Sequence, residues 1–321
     1  MRFGRRHDAD EVGRTAPCRI AAIDIGTVTA RMLIAEVHEG RVHELARRTV
    51  ITQLGEGLTS TGLLSAEAML RTTEAVGSFA EEASLEDARL AAVATSASRD
   101  ASNGEAFLTM LASVGTQPEI ISGDREAYLS FLGATYGFTG EGILVADLGG
   151  GSTELVLGAV VNGERRIDKA ESIDVGSKRV TELFLHGDPP VGEELAEARR
   201  WIDAQLAPYF ESLPARPHEL HALAGTATSL SAIDQELIVY DPRRVHGSRV
   251  SAAKLREIRE RLAALSLAER KEVVGLEPAR AGVIVAGALV LEAILALAKL
   301  PETVVSEHDL LYGIVLDAAG C

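Results

Sequence analysis

The chain has 321 residues, 46% hydrophobic and 25% charged, with a formal net charge of −15. That length suits about two domains, each able to bury a core, and the acidic balance argues against nonspecific nucleic-acid binding, which needs a basic face. Two cysteines far apart, Cys18 and Cys321, exclude a disulfide framework and a cysteine zinc site and fit a reducing cytoplasm.

The first segment, "MRFGRRHDADEVGRTAPC" (1–18), is polar and charged with no apolar core. It reads as a disordered tail rather than a signal peptide. Next comes "RIAAIDIGTVTARMLIAEV" (19–37), an apolar run to Asp24, then Gly26, Thr27 and Thr29, then a second apolar run: a hairpin. Helical spacing covers Ser65 to Ala83. A strand from Leu90 to Ala94 ends in hydroxyls and Arg99. "GEAFLTMLASVG" is helical, and "PEIISGDREAYLSFLGATYG" gives a short strand, a turn at Gly123 and a helix from about Asp124.

"ILVADLGGGSTELVLG" (143–158) repeats the grammar of the first hairpin: strand, Asp147, glycine, hydroxyls, strand. Two strand-like runs are expected after it, then helices containing Glu194 to Phe210. "HALAGTATSLSAI" reads strand, turn, helix. The apolar run Val283 to Leu300 is interrupted by Glu292 and rich in Ala and Gly, so it is expected to be a buried helix and not a membrane span. The tail reads strand, then helix from about His308. Strands and helices alternate throughout, which makes the class α/β. His218 and His221 could share a helix face, but no third metal ligand accompanies them.

Three glycines at 149–151 cost conformational entropy. Either they make a tight structural turn, or they bring backbone N–H groups close to an anion such as phosphate. Carboxylates at Asp147 and Glu154 would repel a phosphate unless a hard cation such as Mg²⁺ lay between. Two such turns, from two similar domains, could clamp a phosphate chain in an interdomain cleft. Asp24 and Asp147 could equally be turn formers, and Glu126 could merely complement a helix dipole. Arg99 could cap its loop or pair with Asp100, and Lys178 with Arg179 could be a solvated face. No P-loop, no dinucleotide fingerprint and no nucleophile elbow is present.

The ordered set "AAIDIGTVTAR", "ATSASRDASN", "ISGDREA", "ADLGGGSTEL", "SIDVGSKRVTE", "AGTATSL", "YDPRRVHGSR" and "SEHDLLYG" resembles the exopolyphosphatase / guanosine pentaphosphate phosphatase family. The likeness is to its short, two-domain form, within the actin–Hsp70–sugar kinase superfamily, over about residues 20–316. The resemblance implies two actin-like (ribonuclease H-like) domains with an interdomain cleft, with residues 19–138 plus 301–321 in the first and 139–300 in the second. It implies phosphate loops at Gly26 and Thr27 and at Gly149, Gly150, Gly151, Ser152 and Thr153, and phosphate contacts from Arg99 and Arg179, with Lys178 adding charge. Glu126 matches the general base. Asp147, Glu154 and Asp24 match acidic positions that hold a metal, Mg²⁺ or another divalent cation, and Glu154 also orients water.

The implied activity is hydrolysis of terminal phosphoanhydride bonds of inorganic polyphosphate with release of orthophosphate. The alternatives are a pppGpp 5′-phosphohydrolase, or a non-catalytic sensor of polyphosphate or nucleotide. A cytoplasmic homodimer without nucleic-acid or membrane partners is expected. The chain departs from the family at Val28, where an Asn is usual, at Arg125, where an acid is frequent, and at Gly282, which replaces an acid.

Overall fold

The computed structural model describes residues 17–320. Positions 1–16 of the expected tail, and Cys321, lie outside the described residues; Cys18 already belongs to the first strand. Strands β1 (Cys18–Ile25), β2 (Thr29–His38), β3 (Arg41–Ile51), β4 (Arg89–Ala94) and β5 (Glu119–Ile120) form one sheet in the order β3-β2-β1-β4-β5. Strands β6 (Gly140–Leu148), β7 (Thr153–Val161), β8 (Glu164–Ile173), β9 (Glu219–Leu223), β10 (Arg249–Ser251) and β11 (Glu302–Val305) form the other, in the order β10-β11-β9-β6-β7-β8. From β8 to β11 the second sheet repeats the path of the first. A three-stranded antiparallel meander leads to a parallel neighbour, β4 beside β1 and β9 beside β6.

Strand periodicity explains the layering. In β1, Ala21, Ile23 and Ile25 enter a core under the helices Ala66–Leu85 and Gly104–Ser113, whereas Ile20 and Ala22 enter another with the helix Leu310–Ala319. In β6, Leu144, Ala146 and Leu148 join the large core of the second lobe. Ile143 and Val145 face Ala127 and Phe131 of the helix Gly123–Ala134. The apolar segment near the C-terminus forms the helix Ile284–Ala298, buried within that large core, as expected. Its Glu292 is paired with Arg259 at 2.9 Å. No helix among the described residues is long and apolar enough to cross a membrane.

Some expectations change. The strand Glu302–Val305, assigned with residues 301–321 to the first domain, pairs with β9 in the second sheet; only the helix after it returns to the first sheet. One long strand, β8, follows the second hairpin instead of two runs, and Ser177–Phe184 is helical. β3 escaped the sequence reading because it is a largely exposed edge strand carrying Arg41, His43, Arg47 and Arg48, so its apolar alternation is weak.

The helices Gly123–Ala134 and Leu310–Ala319 cross between the lobes with their backbones in direct contact. A Cβ on Gly133 would lie 2.0 Å from the Asp309 carbonyl oxygen, and one on Gly313 would lie 1.9 Å from that of Leu129. Gly→Ala inside a helix ordinarily stabilises by about 0.5–1 kcal/mol. At Gly133 the overpacking dominates, so Gly133→Ala is expected to destabilise by about 1–3 kcal/mol. Gly282→Ala, with no atom within 4 Å of its Cβ, is expected to stay within about 0.5 kcal/mol of wild type. Urea unfolding of the two variants checks this; equal midpoints would rule out a tight crossing.

Candidate active site

Both hairpins end in the same turn. The Gly26 N–H donates to the Thr29 carbonyl at 2.9 Å, and the Gly149 N–H donates to the Ser152 carbonyl at 3.0 Å. Asp24 sits opposite Arg31 in the β1–β2 register, and Asp147 sits opposite Glu154 in the β6–β7 register. Because side chains alternate along a strand, Asp24 and Arg31 share the face of Ala22 and Leu33. Asp147 and Glu154 share the face of Val145 and Val156. Those are the faces covered by the two crossing helices. The two turns therefore meet across a narrow cavity of about 70 Å³ between the lobes.

Asp24, Glu126, Asp147 and Glu154 all line this cavity and all are buried. Gly26, Thr27, Gly149, Gly150 and Ser152 line it too, as the repeat implied. Close approach requires glycine at 150: a Cβ there would meet Val28 Cγ2 at 2.6 Å and Thr27 Cβ at 3.1 Å. Each carboxylate has an orienting partner. Arg31 donates to Asp24 at 2.6 Å and also pairs with Asp309, the N-cap of the Leu310–Ala319 helix. Ser130 donates to Asp147 at 2.6 Å, and Ser172 donates to Glu154 at 2.7 Å. Arg99 donates to Glu126 at 3.3 Å and to the Ile121 carbonyl at 3.1 Å.

Four of the expected phosphate contacts lie elsewhere. Arg99 is occupied by Glu126 and does not line the cavity. Thr153 is fully buried and its hydroxyl donates to the Val175 carbonyl. Gly151 and Arg179 line a second cavity behind the glycine turn. There Arg179 donates to the Gly151 carbonyl at 2.8 Å and pairs with Asp100 at 3.0 Å. In return, Arg31, Arg280, Ser96 and Ser177 line the cavity between the turns and were not singled out. A signal for Arg31 existed: it follows Asp24 by the same seven residues that separate Glu154 from Asp147.

Electrostatics follow from this crowding. Burial, then repulsion from Glu154 and the aspartates, raises Glu126 well above the ordinary carboxylate range; Arg99 opposes the shift. Burial and the Asp147 charge push Glu154 up to about 7. Burial pushes Asp147 up to about 6 against Arg31 and Ser130, and raises Asp24 in spite of Arg31.

A hard cation fits this donor set. Asp24 Oδ1 is buried without a hydrogen-bond partner, in a cavity with an excess of carboxylate. Among the described residues no three His, Cys, Asp or Glu side chains form a preformed ion shell. Magnesium needs none, since it is held by one or two carboxylates, phosphate oxygens and water.

The raised carboxylates make stability depend on pH with an inverted sign. Over the interval between their ordinary values and about pH 7 the native chain binds protons before the unfolded chain does. Asp147 and Glu154 therefore contribute stability that grows as pH falls from about 7.5 to about 5, against the opposite contribution of His246 and His308, whose burial lowers their proton affinity. The change in Tm on lowering the pH across that interval, read by calorimetry without divalent cation, is expected to be less favourable in Glu154→Gln than in wild type; an equal change in both would contradict the raised carboxylate.

The sequence profile described as the Ppx/GppA phosphatase family matches residues 33–320. Exopolyphosphatase 2 of Mycobacterium tuberculosis is 40% identical over 320 residues, covering 94% of this chain and 99% of the relative. Among solved structures, one described as an exopolyphosphatase-like protein superposes with a TM-score of 0.89 at 34% identity, over 95% of this chain and 98% of its own. The Aquifex aeolicus member of the Ppx/GppA family superposes with a TM-score of 0.79 at 28% identity, over 95% of this chain and 98% of its own.

Proposed function

This chain belongs to the Ppx/GppA phosphatase family, and from that premise we propose that it is an exopolyphosphatase, a phosphoanhydride hydrolase that releases orthophosphate from the end of inorganic polyphosphate. The observation that carries the reading is the meeting of Glu126 and Glu154, from the second sheet and the helix packed on it, with Asp24 of the first sheet over two equivalent glycine turns in one small cavity. Water attacks the terminal phosphorus. A new P–O bond forms to the water oxygen as the bridging P–O bond breaks, and the bridging oxygen leaves with the shortened chain. The water proton passes to Glu126, whose burial among carboxylates raises its affinity for a proton. Ser172 holds the Glu154 carboxylate, which orients the water.

The rest is positioning and charge neutralisation, which dominate phosphoryl transfer. Backbone N–H groups of the two turns, the Thr27, Ser96 and Ser152 hydroxyls, and the Arg31 and Arg280 guanidinium groups receive the phosphate oxygens. Asp24 and Asp147 would hold a divalent cation, which when bound neutralises phosphate charge. Arg99 acts through Glu126. The proposal includes a cytoplasmic homodimer, in keeping with the two cysteines and the family resemblance.

A second reading, pppGpp 5′-phosphohydrolase, is favoured by one feature. A cavity of about 600 Å³ adjoins the catalytic one through Arg31, Gly225 and Arg280. Besides its arginines it is lined by Leu237, Ile238 and Tyr240 and by Glu44 and Glu307. Apolar surface with carboxylates suits the N–H edge of a base better than a bare polyanion.

Phosphate release from long-chain polyphosphate, measured colorimetrically with pppGpp in parallel, tests both readings. Release from polyphosphate is expected, and excess EDTA is expected to abolish it. Full activity in EDTA would refute the metal assignment. Glu126→Gln is expected to lower kcat by about 10²–10⁴-fold while binding stays or tightens, because one negative charge near a polyanion is lost. Retention of more than about a tenth of kcat would remove Glu126 from the role of base.

A further inference from the structure

The catalytic cavity has neighbours on two sides. Toward the wide side it shares Arg31, Ala224, Gly225 and Arg280 with the cavity of about 600 Å³. Toward the other side it shares Thr27, Ser96 and Gly150 with a cavity of about 270 Å³ behind the glycine turn. The partition on that side is thin. Its polar element is one neutral hydrogen bond, Thr27 Oγ1 to Ser96 Oγ at 2.9 Å. The groups pressed against it are Gly150 and Gly151, whose absent side chains leave no second layer: a Cβ on Gly151 would meet Ser96 Oγ at 2.7 Å and Thr27 Oγ1 at 3.1 Å.

The rear cavity carries cationic groups held in check by neighbours. Lys178 is buried; its ammonium reaches the Gln53 side-chain oxygen at 2.9 Å and Glu182 at 3.8 Å. Arg179 is paired with Asp100 and Asp174. With Asp100, Asp174 and Glu182 against Lys178 and Arg179, the lining offers a small anion donors to pass along but no unopposed positive charge to trap it. On the rim, the exposed Thr59 hydroxyl donates to Glu182 at 2.8 Å and ties the first lobe to the helix that bears Lys178.

We propose that the catalytic cavity is one link of a passage through the molecule, in which substrate enters from the wide side and orthophosphate leaves through the rear cavity past the Thr27–Ser96 pair. This rests on the phosphohydrolase reading above. A chain that remains bound after cleavage fills the wide side and lies between a freed phosphate and that opening. The hydroxyl pair can part and rebond to a passing phosphate, and the glycine turn pressed against it must give way with it. A rear exit lets the shortened chain advance without dissociating.

The test blocks the exit at a residue outside the catalytic machinery. Thr59→Trp places an indole on the rim at an exposed position, and Thr59→Ser keeps the hydroxyl as the conservative control. Single-turnover cleavage of long-chain polyphosphate is followed by chemical quench, and orthophosphate release by a fluorescent phosphate sensor. In the Trp variant cleavage is expected within about twofold of wild type. Steady-state release is expected to fall about tenfold because product release becomes limiting, with a burst of one cleaved phosphate per active site in the quench and no burst at the sensor. The Ser variant is expected to behave as wild type. Wild-type steady-state release by the Trp variant, or a loss of cleavage in equal proportion, would overturn the passage. A wild-type enzyme that frees no phosphate from polyphosphate or pppGpp would instead refute the functional reading, and that control arm is read first.

Discussion

Gly133 and Gly313 remove the side chains that would otherwise hold the two crossing helices apart, and the geometry of the site follows from that contact. Glu126 lies seven residues before Gly133 on one helix, about two turns or 10 Å away. Asp309 caps the other helix through the Leu311 N–H at 3.0 Å and holds Arg31 with its second oxygen. Arg31 in turn orients Asp24 at the tip of β1. Glu126, the proposed base, on one helix and Asp24 on the opposite lobe's hairpin are thus referred to a single crossing point. Displacing the helices would move the two chemical groups relative to each other before it disturbed either sheet.

The same closeness crowds like charge into the site. Asp24, Glu126, Asp147 and Glu154 are desolvated together and raise one another's affinity for protons, while only Arg31 and Arg280 among the cavity's lining residues carry positive charge. Structural salt bridges would normally neutralise such a group. Here the compensation is partial, and the unpartnered Asp24 Oδ1 marks where it stops. A cation and a substrate that supplied the missing charge and oxygen atoms would bind the native chain alone and stabilise it. That imbalance is local, and it fits the proposed pair of ligands, one cationic and one anionic, although the chain as a whole carries −15.

What was legible in the sequence was local. The hairpin repeat, the Gly123 turn and the strand–turn–helix at 219–234 depend on neighbours within a few residues, so periodicity and glycine placement disclosed them. Asp24, Glu126, Asp147 and Glu154 could be chosen because the motifs carrying them are short. Arg31 could not be given its partner, since Asp309 stands 278 residues away. Arg99 looked like a phosphate ligand because a basic residue in a hydroxyl-rich turn suits an anion; the fold brings Glu126 to it from 27 residues on, and the guanidinium is taken. Glu302–Val305 was assigned to the wrong sheet because strand pairing is a long-range choice that four residues do not encode.

The three departures from the family pattern bear on the site in different ways. Arg125 points away from the base beside it: it pairs with Asp317 at 2.5 Å and its guanidinium lies 5.3 Å from the Tyr128 ring centre. It therefore fastens one crossing helix to the other and leaves the proton affinity of Glu126 to burial, the neighbouring carboxylates and Arg99. Gly282 faces open space, so the missing acid withdraws no contact. Val28 is the consequential change. Its carbonyl accepts from the Thr52 and Gln53 N–H groups at 3.0 and 2.9 Å, and its side chain packs against Gly150 of the opposite turn. An amide at this position could bind a phosphate oxygen directly; the valine instead seals the two glycine turns against each other. Phosphoryl transfer gains more from fixed position than from one additional neutral donor. The apolar contact therefore exchanges a ligand for rigidity where the two lobes must hold the same phosphate.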